Sequence, residues 1–227
     1  MVRRLKTQNG KDAAATVVVI GLGRFGGALA QELVSLGREV LGIDSDEARV
    51  QEFSNYLTHV VQADPTNEES LRDLGVADFD AAVVAIGTSL ETSILSASLL
   101  IQIGVKQVWA KASSESHGRI LEQIGVHHVV YPDKDMGKRV AHMVGGDQLD
   151  YVEIDEGFVM AKTKTASAFV GRSLEQLGLR REYGIIVVAT SAAGAEYKPA
   201  TPATVLGDGD LLIVAGPKER IEEFCRI

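Results

Sequence analysis

Gly21, Gly23 and Gly26 hold the three places of a G-x-G-x-x-G loop, directly after the apolar run Val17-Val18-Val19-Ile20. The chemistry this spacing serves is phosphate binding. The first glycine permits a tight turn, the second lets a pyrophosphate approach the backbone, and the third lets a helix pack closely on a strand. Free N–H groups and the dipole at the start of that helix favour an anion. Arg24 adds a full positive charge at the same spot, and Phe25 lies inside the loop as a further candidate contact. Asp44 ends the next apolar run, where an acid accepts hydrogen bonds from ribose hydroxyls and disfavours a 2′-phosphate, which speaks against NADP.

Other candidates stand at the ends of later apolar runs. Asp64 either meets an adenine amino group or caps the helix after Pro65. Thr88 and Ser89, after Gly87, suit phosphate or ribose contact, with N-capping the favoured role. Lys111 is either a solvated lysine or a second cation facing phosphates, and with Arg24 it would suit a polyphosphate better than a dinucleotide. Asp133 and Asp135 flank Lys134 at a helix start, where N-capping is the plain reading; Mg²⁺ held by Asp133 and a triphosphate is the alternative. His59, His117, His127, His128 and His142 show no zinc spacing. The His127-His128 pair reads as structural.

These residues need a scaffold that brings strand ends together. Residues 17–21, 39–43, 59–62, 81–86, 107–111 and 128–131 read as strands. Residues 25–36, 46–56 (N-capped by Ser45), 67–74, 91–103, 114–124 and 134–144 read as helices. Strands that alternate with helices predict an α/β fold: a Rossmann-like, doubly wound parallel sheet. Its ligand rim lies beyond the carboxyl ends of the strands, where Gly21, Asp44, Asp64, Gly87 and Lys111 fall.

Gly145-Gly146-Asp147 marks a change of texture. Strands at 151–155 and 158–164, a short helix at 173–177, a hairpin of 185–190 and 196–198 turning at Ala193-Gly194, a strand at 211–215 and a helix opened by Pro217 predict a small α+β domain. The expected organisation is a disordered lead-in at 1–14, a nucleotide-binding domain at 15–146 and a C-terminal domain at 147–227.

The net charge of −8 argues against a nucleic-acid surface or an anionic membrane surface. One cysteine, Cys225, excludes an internal disulfide. No apolar run approaches the roughly 20 residues of a membrane span, and the basic, polar start lacks the apolar core of a signal peptide. A cytosolic protein is expected. A dehydrogenase needs a proton donor beside its cofactor, whereas the C-terminal domain carries neither histidine nor a Tyr-x-x-x-Lys pair. That favours a sensor over an enzyme.

The ordered set Gly-Leu-Gly-Arg-Phe-Gly-Gly (21–27), Glu-Val-Leu-Gly-Ile-Asp (39–44), Val-Ala-Ile-Gly (84–87), Val-Trp-Ala-Lys-Ala (108–112), Leu-Glu-Gln-Ile-Gly-Val (121–126) and Tyr-Pro-Asp-Lys-Asp-Met-Gly (131–137) resembles the RCK-domain regulatory subunits of Ktr/Trk-type potassium uptake systems, KtrA/TrkA-like. The resemblance continues through Leu-Arg-Arg-Glu-Tyr-Gly (179–184) and Gly-Asp-Leu-Leu-Ile-Val-Ala-Gly (209–216). It implies dimers within an octameric ring under an integral membrane potassium-translocating subunit, KtrB/TrkH-like, on the inner face of the plasma membrane. It implies ATP or ADP, sometimes NAD(H), in the N-lobe cleft, with nucleotide exchange gating the potassium pathway. By position it makes Arg24 the γ-phosphate sensor, Asp44 the ribose ligand and Lys111 a further phosphate contact. Asp133 stands where the family often has Glu, one methylene short for a metal. Some members bind cyclic di-AMP in the C-lobe through an arginine near Arg180, with Leu174 in keeping with such a site and Glu175 opposed to it. The competing readings are an NAD(H)-dependent redox sensor or oxidoreductase, and a cyclic di-AMP sensor.

Overall fold

The computed structural model describes residues 15–144, 150–192 and 195–227. The expected lead-in, the Gly145-Gly146-Asp147 break and the Ala193-Gly194 turn lie outside the described residues. The chain divides after Pro132 into two compact units.

In the first unit, β1 (Thr16–Ile20), β2 (Glu39–Asp44), β3 (His59–Gln62), β4 (Ala81–Val84), β5 (Val108–Lys111) and β6 (His128–Val130) form one sheet in the order β3-β2-β1-β4-β5-β6. Every neighbouring pair is parallel. Parallel strands need crossovers, supplied by α1 (Arg24–Ser35), α2 (Glu47–Phe53), α3 (Glu68–Asp73), α4 (Leu90–Gln102) and α5 (Glu115–Gln123). The central strand is apolar on both sides, and its side chains alternate between two cores. Val18 and Ile20 pack with Leu71, Leu100 and Leu121. Val17 and Val19 pack with Ala30, Phe53 and Leu57. This is the doubly wound, Rossmann-like arrangement expected from the strand–helix alternation.

The order reverses between β1 and β4, so the crevice beyond their carboxyl ends is the place where such a sheet takes a ligand. β4 stops at Val84, earlier than its apolar run; the Ala85 N–H still donates to the Ile20 carbonyl at 2.7 Å, and Ala85 and Ile86 lie against Gly21 of the glycine loop. α2 is capped by Asp46, whose Oδ1 accepts from the Ala48 N–H at 3.0 Å, and not by Ser45. The turn after β2 is drawn tight by the Asp46 N–H, which donates to Asp44 Oδ1 at 3.0 Å and delays the helix by one residue.

The second unit opens at Asp133, within α6 (Pro132–Val144). Proline needs no N–H partner in a first helical turn, so this helix starts before Lys134. Asp133 and Asp135 therefore lie within its first turn, where the helix dipole favours acids, and not at the cap. The antiparallel sheet β10-β9-β11-β8-β7 follows, from β7 (Asp150–Asp155), β8 (Phe158–Lys164), β9 (Ile186–Ser191), β10 (Lys198–Pro199) and β11 (Leu211–Pro217). Helices α7 (Leu174–Leu177), α8 (Leu179–Glu182) and α9 (Lys218–Phe224) complete the unit. Its core gathers Val159, Leu212, Val214, Ile185 and Ile221 with Phe169 and Phe224. α6 is tied to β7 by Arg139, which donates twice to Asp150 at 2.8 Å, and by His142, whose ring stacks on Tyr151 at 3.8 Å. The helix read from sequence as the end of the first domain thus groups with the second unit.

Candidate nucleotide-binding site

The loop between β1 and α1 is built as its glycines require. Gly21 has φ +92°, and its N–H donates to the Ile43 carbonyl at 2.8 Å, so the turn is held on β2. A Cβ on Gly26 would overlap the Gly21 carbonyl oxygen and come within 2.8 Å of the Ala85 Cβ. No larger residue fits where helix meets loop and β4. Gly23 N-caps α1 without a side-chain hydrogen bond, which leaves the first-turn N–H groups for a ligand. Arg24 is the first helical residue, and it is exposed.

On the β4–β5 side, the Lys111 ammonium stands 5.7 Å from the centroid of the Phe25 ring, and a Cβ on Gly87 would lie 3.7 Å from it. Phe25, Gly87 and Lys111, far apart in sequence, therefore meet at the switch point. On the β2 side, Asp44 is 7 % exposed. Its Oδ2 accepts from the Leu22 N–H at 2.7 Å, so the acid latches the glycine loop from within. That role was not legible in the motif. Each carboxylate oxygen carries a second lone pair, which leaves capacity for ribose hydroxyls. Arg49 of α2 also reaches Asp44, its Nη1 at 3.6 Å from Oδ2. Sequence reading missed Arg49. The available signal was its place in the helix immediately after the strand-ending acid.

Asp64 is exposed, and its Oδ1 accepts from both the N–H (2.9 Å) and the hydroxyl (2.7 Å) of Thr66. These bonds, the hydroxyl first, hold its carboxyl below the ordinary range. α3 is capped instead by Asn67, which accepts from the Ser70 N–H at 3.1 Å, so Asp64 is not the helix cap. Ser89 caps α4 by accepting from Thr92 N–H at 3.2 Å, as its position led us to expect. His127 Nδ1 accepts from the Val108 N–H at 3.0 Å and His128 stacks on Trp109 at 3.9 Å; both are structural.

Asp133 lies in the second unit. No three His, Cys, Asp or Glu side chains that could hold a metal converge among the described residues. Also in the second unit, Arg180 borders an open hollow of about 360 Å³, with Leu174, Glu175, Arg181, Ile186 and Pro202. Among the described residues, no helix is long and apolar enough to cross a membrane.

Residues 17–132 match the TrkA-N domain family and residues 159–227 the TrkA-C domain family. The chain is 37% identical over 207 residues to Ktr system potassium uptake protein C of Bacillus subtilis, covering 91% of this chain and 94% of that protein. It is 35% identical over 204 residues to Ktr system potassium uptake protein A of Vibrio alginolyticus, covering 89% and 93%. Two structures of the GsuK channel share its fold. One has a TM-score of 0.65 at 17% identity over 95% of this chain and 40% of that one. The other, bound to NAD, has a TM-score of 0.53 at 22% identity over 96% and 39%.

Proposed function

From the premise that this chain belongs to the TrkA-N/TrkA-C family of Ktr and Trk potassium uptake proteins, we propose that it is a cytoplasmic regulatory subunit that senses adenosine nucleotides and gates a membrane potassium transporter. The observation that carries the reading is the cradle at the β1/β4 switch point. There the N-cap of α1 makes no side-chain hydrogen bond, Arg24 opens the helix, Lys111 stands over the Phe25 ring, and Arg49 lies against Gly23 and the buried Asp44. Cations around free N–H groups select phosphates, and the acid selects ribose.

A ligand shifts a conformational equilibrium only through its difference in affinity for the two states. ATP and ADP differ by the γ-phosphate. Arg24, exposed at the helix mouth, is the residue assigned to that group, either within its own cradle or across a homo-oligomer interface. Lys111 is assigned to the phosphates and Asp44 to the ribose. Asp64 is assigned to the adenine. The work is mechanical and not catalytic: dimers in an octameric ring change shape under the potassium-translocating partner at the inner face of the membrane. Thermal-shift and calorimetric titration with ATP, ADP and NADH test the ligand. Preference for ATP and ADP supports the reading; preference for NADH would turn it toward a redox sensor.

The hollow beside Arg180 favours a second reading, cyclic di-AMP as an additional effector. Leu174, Ile186 and Pro202 offer apolar surface to a base and Arg180 a cation to a phosphate, while Glu175 opposes the anion. Cyclic di-AMP that stabilises wild type but not Arg180→Ala supports it; no stabilisation of either removes it.

A further inference from the structure

Arg49 is the third residue of α2, five positions after the acid that ends β2. Its guanidinium turns back toward the loop. Nη1 lies 3.6 Å from Asp44 Oδ2, and Nε lies 3.7 Å from Asp46 Oδ2. Both contacts are longer than hydrogen bonds, and the side chain is 42% exposed. Pairs of this kind hold a side chain weakly. The same Nη1 lies only 3.1 Å from the position a Cβ on Gly23 would take. The guanidinium therefore lies against the residue that caps α1, in the space the missing side chain leaves. A cation beside the positive end of a helix dipole is poorly placed unless an anion joins it. In this arrangement Asp44 and Asp46 are the anions.

The guanidinium and a ribose hydroxyl are thus in conflict over the lone pair that Asp44 Oδ2 has left. One oxygen already accepts from the Leu22 N–H and also faces Arg49; the other accepts from the Asp46 N–H. A phosphate entering over Gly23 would resolve the conflict, because it is a better partner for the guanidinium than a carboxylate already engaged by backbone.

We propose that Arg49 is a phosphate-binding residue of the nucleotide site. On binding, it passes from Asp44 to the ligand phosphate nearest the ribose and leaves Asp44 to the ribose hydroxyls. The proposal rests on the nucleotide-sensing reading above and deepens it. Arg49 and Arg24 then divide the work. Arg24 distinguishes a triphosphate from shorter ligands, whereas Arg49 reads a feature that AMP, ADP and ATP share.

Isothermal titration of the full chain with AMP, ADP and ATP, on wild type, Arg49→Gln and Arg49→Lys, tests this. Arg49→Gln is expected to lose roughly tenfold in affinity for all three, the size of one charge-assisted contact. The ATP-to-ADP ratio stays at its wild-type value, and Arg49→Lys recovers part of the loss. Unchanged or tighter binding by Arg49→Gln, with wild type binding normally, overturns the proposal alone, since Arg49 would then only balance Asp44 in the empty cradle. A loss confined to ATP overturns it as well. Failure of wild type to bind any of the three overturns the nucleotide-sensing reading and this proposal with it.

Discussion

Arg24 and Gly26 carry the sharpest residue-level predictions. Arg24 stands exposed at the first position of α1, so Arg24→Ala should weaken ATP binding much more than ADP binding. Calorimetry that shows equal losses would remove it from the γ-phosphate role. Gly26→Ala forces a Cβ into the Gly21 carbonyl oxygen and the Ala85 methyl. It should cost about 1–3 kcal/mol of stability, the scale of overpacking a tight contact, and should abolish nucleotide binding. Denaturant unfolding and titration of the same variant check both; a variant of wild-type stability and affinity would show that the loop tolerates expansion. At this scale the turn at Gly21 and the close packing at Gly26 were legible, because each answers to a local constraint. The latch from Asp44 to the Leu22 N–H and the approach of Arg49 to Gly23 were not. They arise only when β2 and α2 are folded beside the loop, and no spacing rule encodes them.

Among the elements, α5 holds a titratable group in its first turns. His117 is 2% exposed, and its Nδ1 accepts from the Ser113 N–H at 3.3 Å, just beyond the end of β5. Burial pushes its pKa down. Between that lowered folded value and the ordinary value of about 6.5, the unfolded chain binds more protons than the folded one. Stability therefore rises with pH through this window and falls as pH drops below about 6.5. His117→Gln should flatten that part of a melting-temperature profile between pH 5 and pH 8. An equally steep profile in the variant would place the effect elsewhere. In α6 and β7 the sign comes from a carboxylate. Hydrogen bonds from Arg139 hold Asp150 below the ordinary range. That contribution is present above about pH 4 and lost as pH falls through the lowered value, so Asp150→Asn should weaken the acid dependence of unfolding. Strand and helix identities were legible throughout the first unit, because two-sided burial imposes apolar runs and helix ends carry caps. Boundaries shifted where a side chain took over a turn, as Asp46 did from Ser45. α8 went unread because four residues after Gly178 are too few to show a helical period.

For the molecule as a whole, the parallel sheet and the smaller antiparallel domain followed from the order of apolar runs. The place of α6 did not follow, since its affiliation depends on the Arg139–Asp150 and His142–Tyr151 contacts made within the second unit. The glycine loop led to the proposal of a phosphate cradle, and family membership adds the Ktr and Trk potassium uptake proteins as relatives. The central claim is that occupancy of that cradle is converted into work on a membrane partner. Potassium flux through a Ktr-type membrane subunit, reconstituted in liposomes with this chain and with ATP or ADP, measures it most directly. Flux should differ between the two nucleotides, and Arg24→Ala should erase the difference. Flux indifferent to the chain, or equal in ATP and ADP with wild type, would contradict the account.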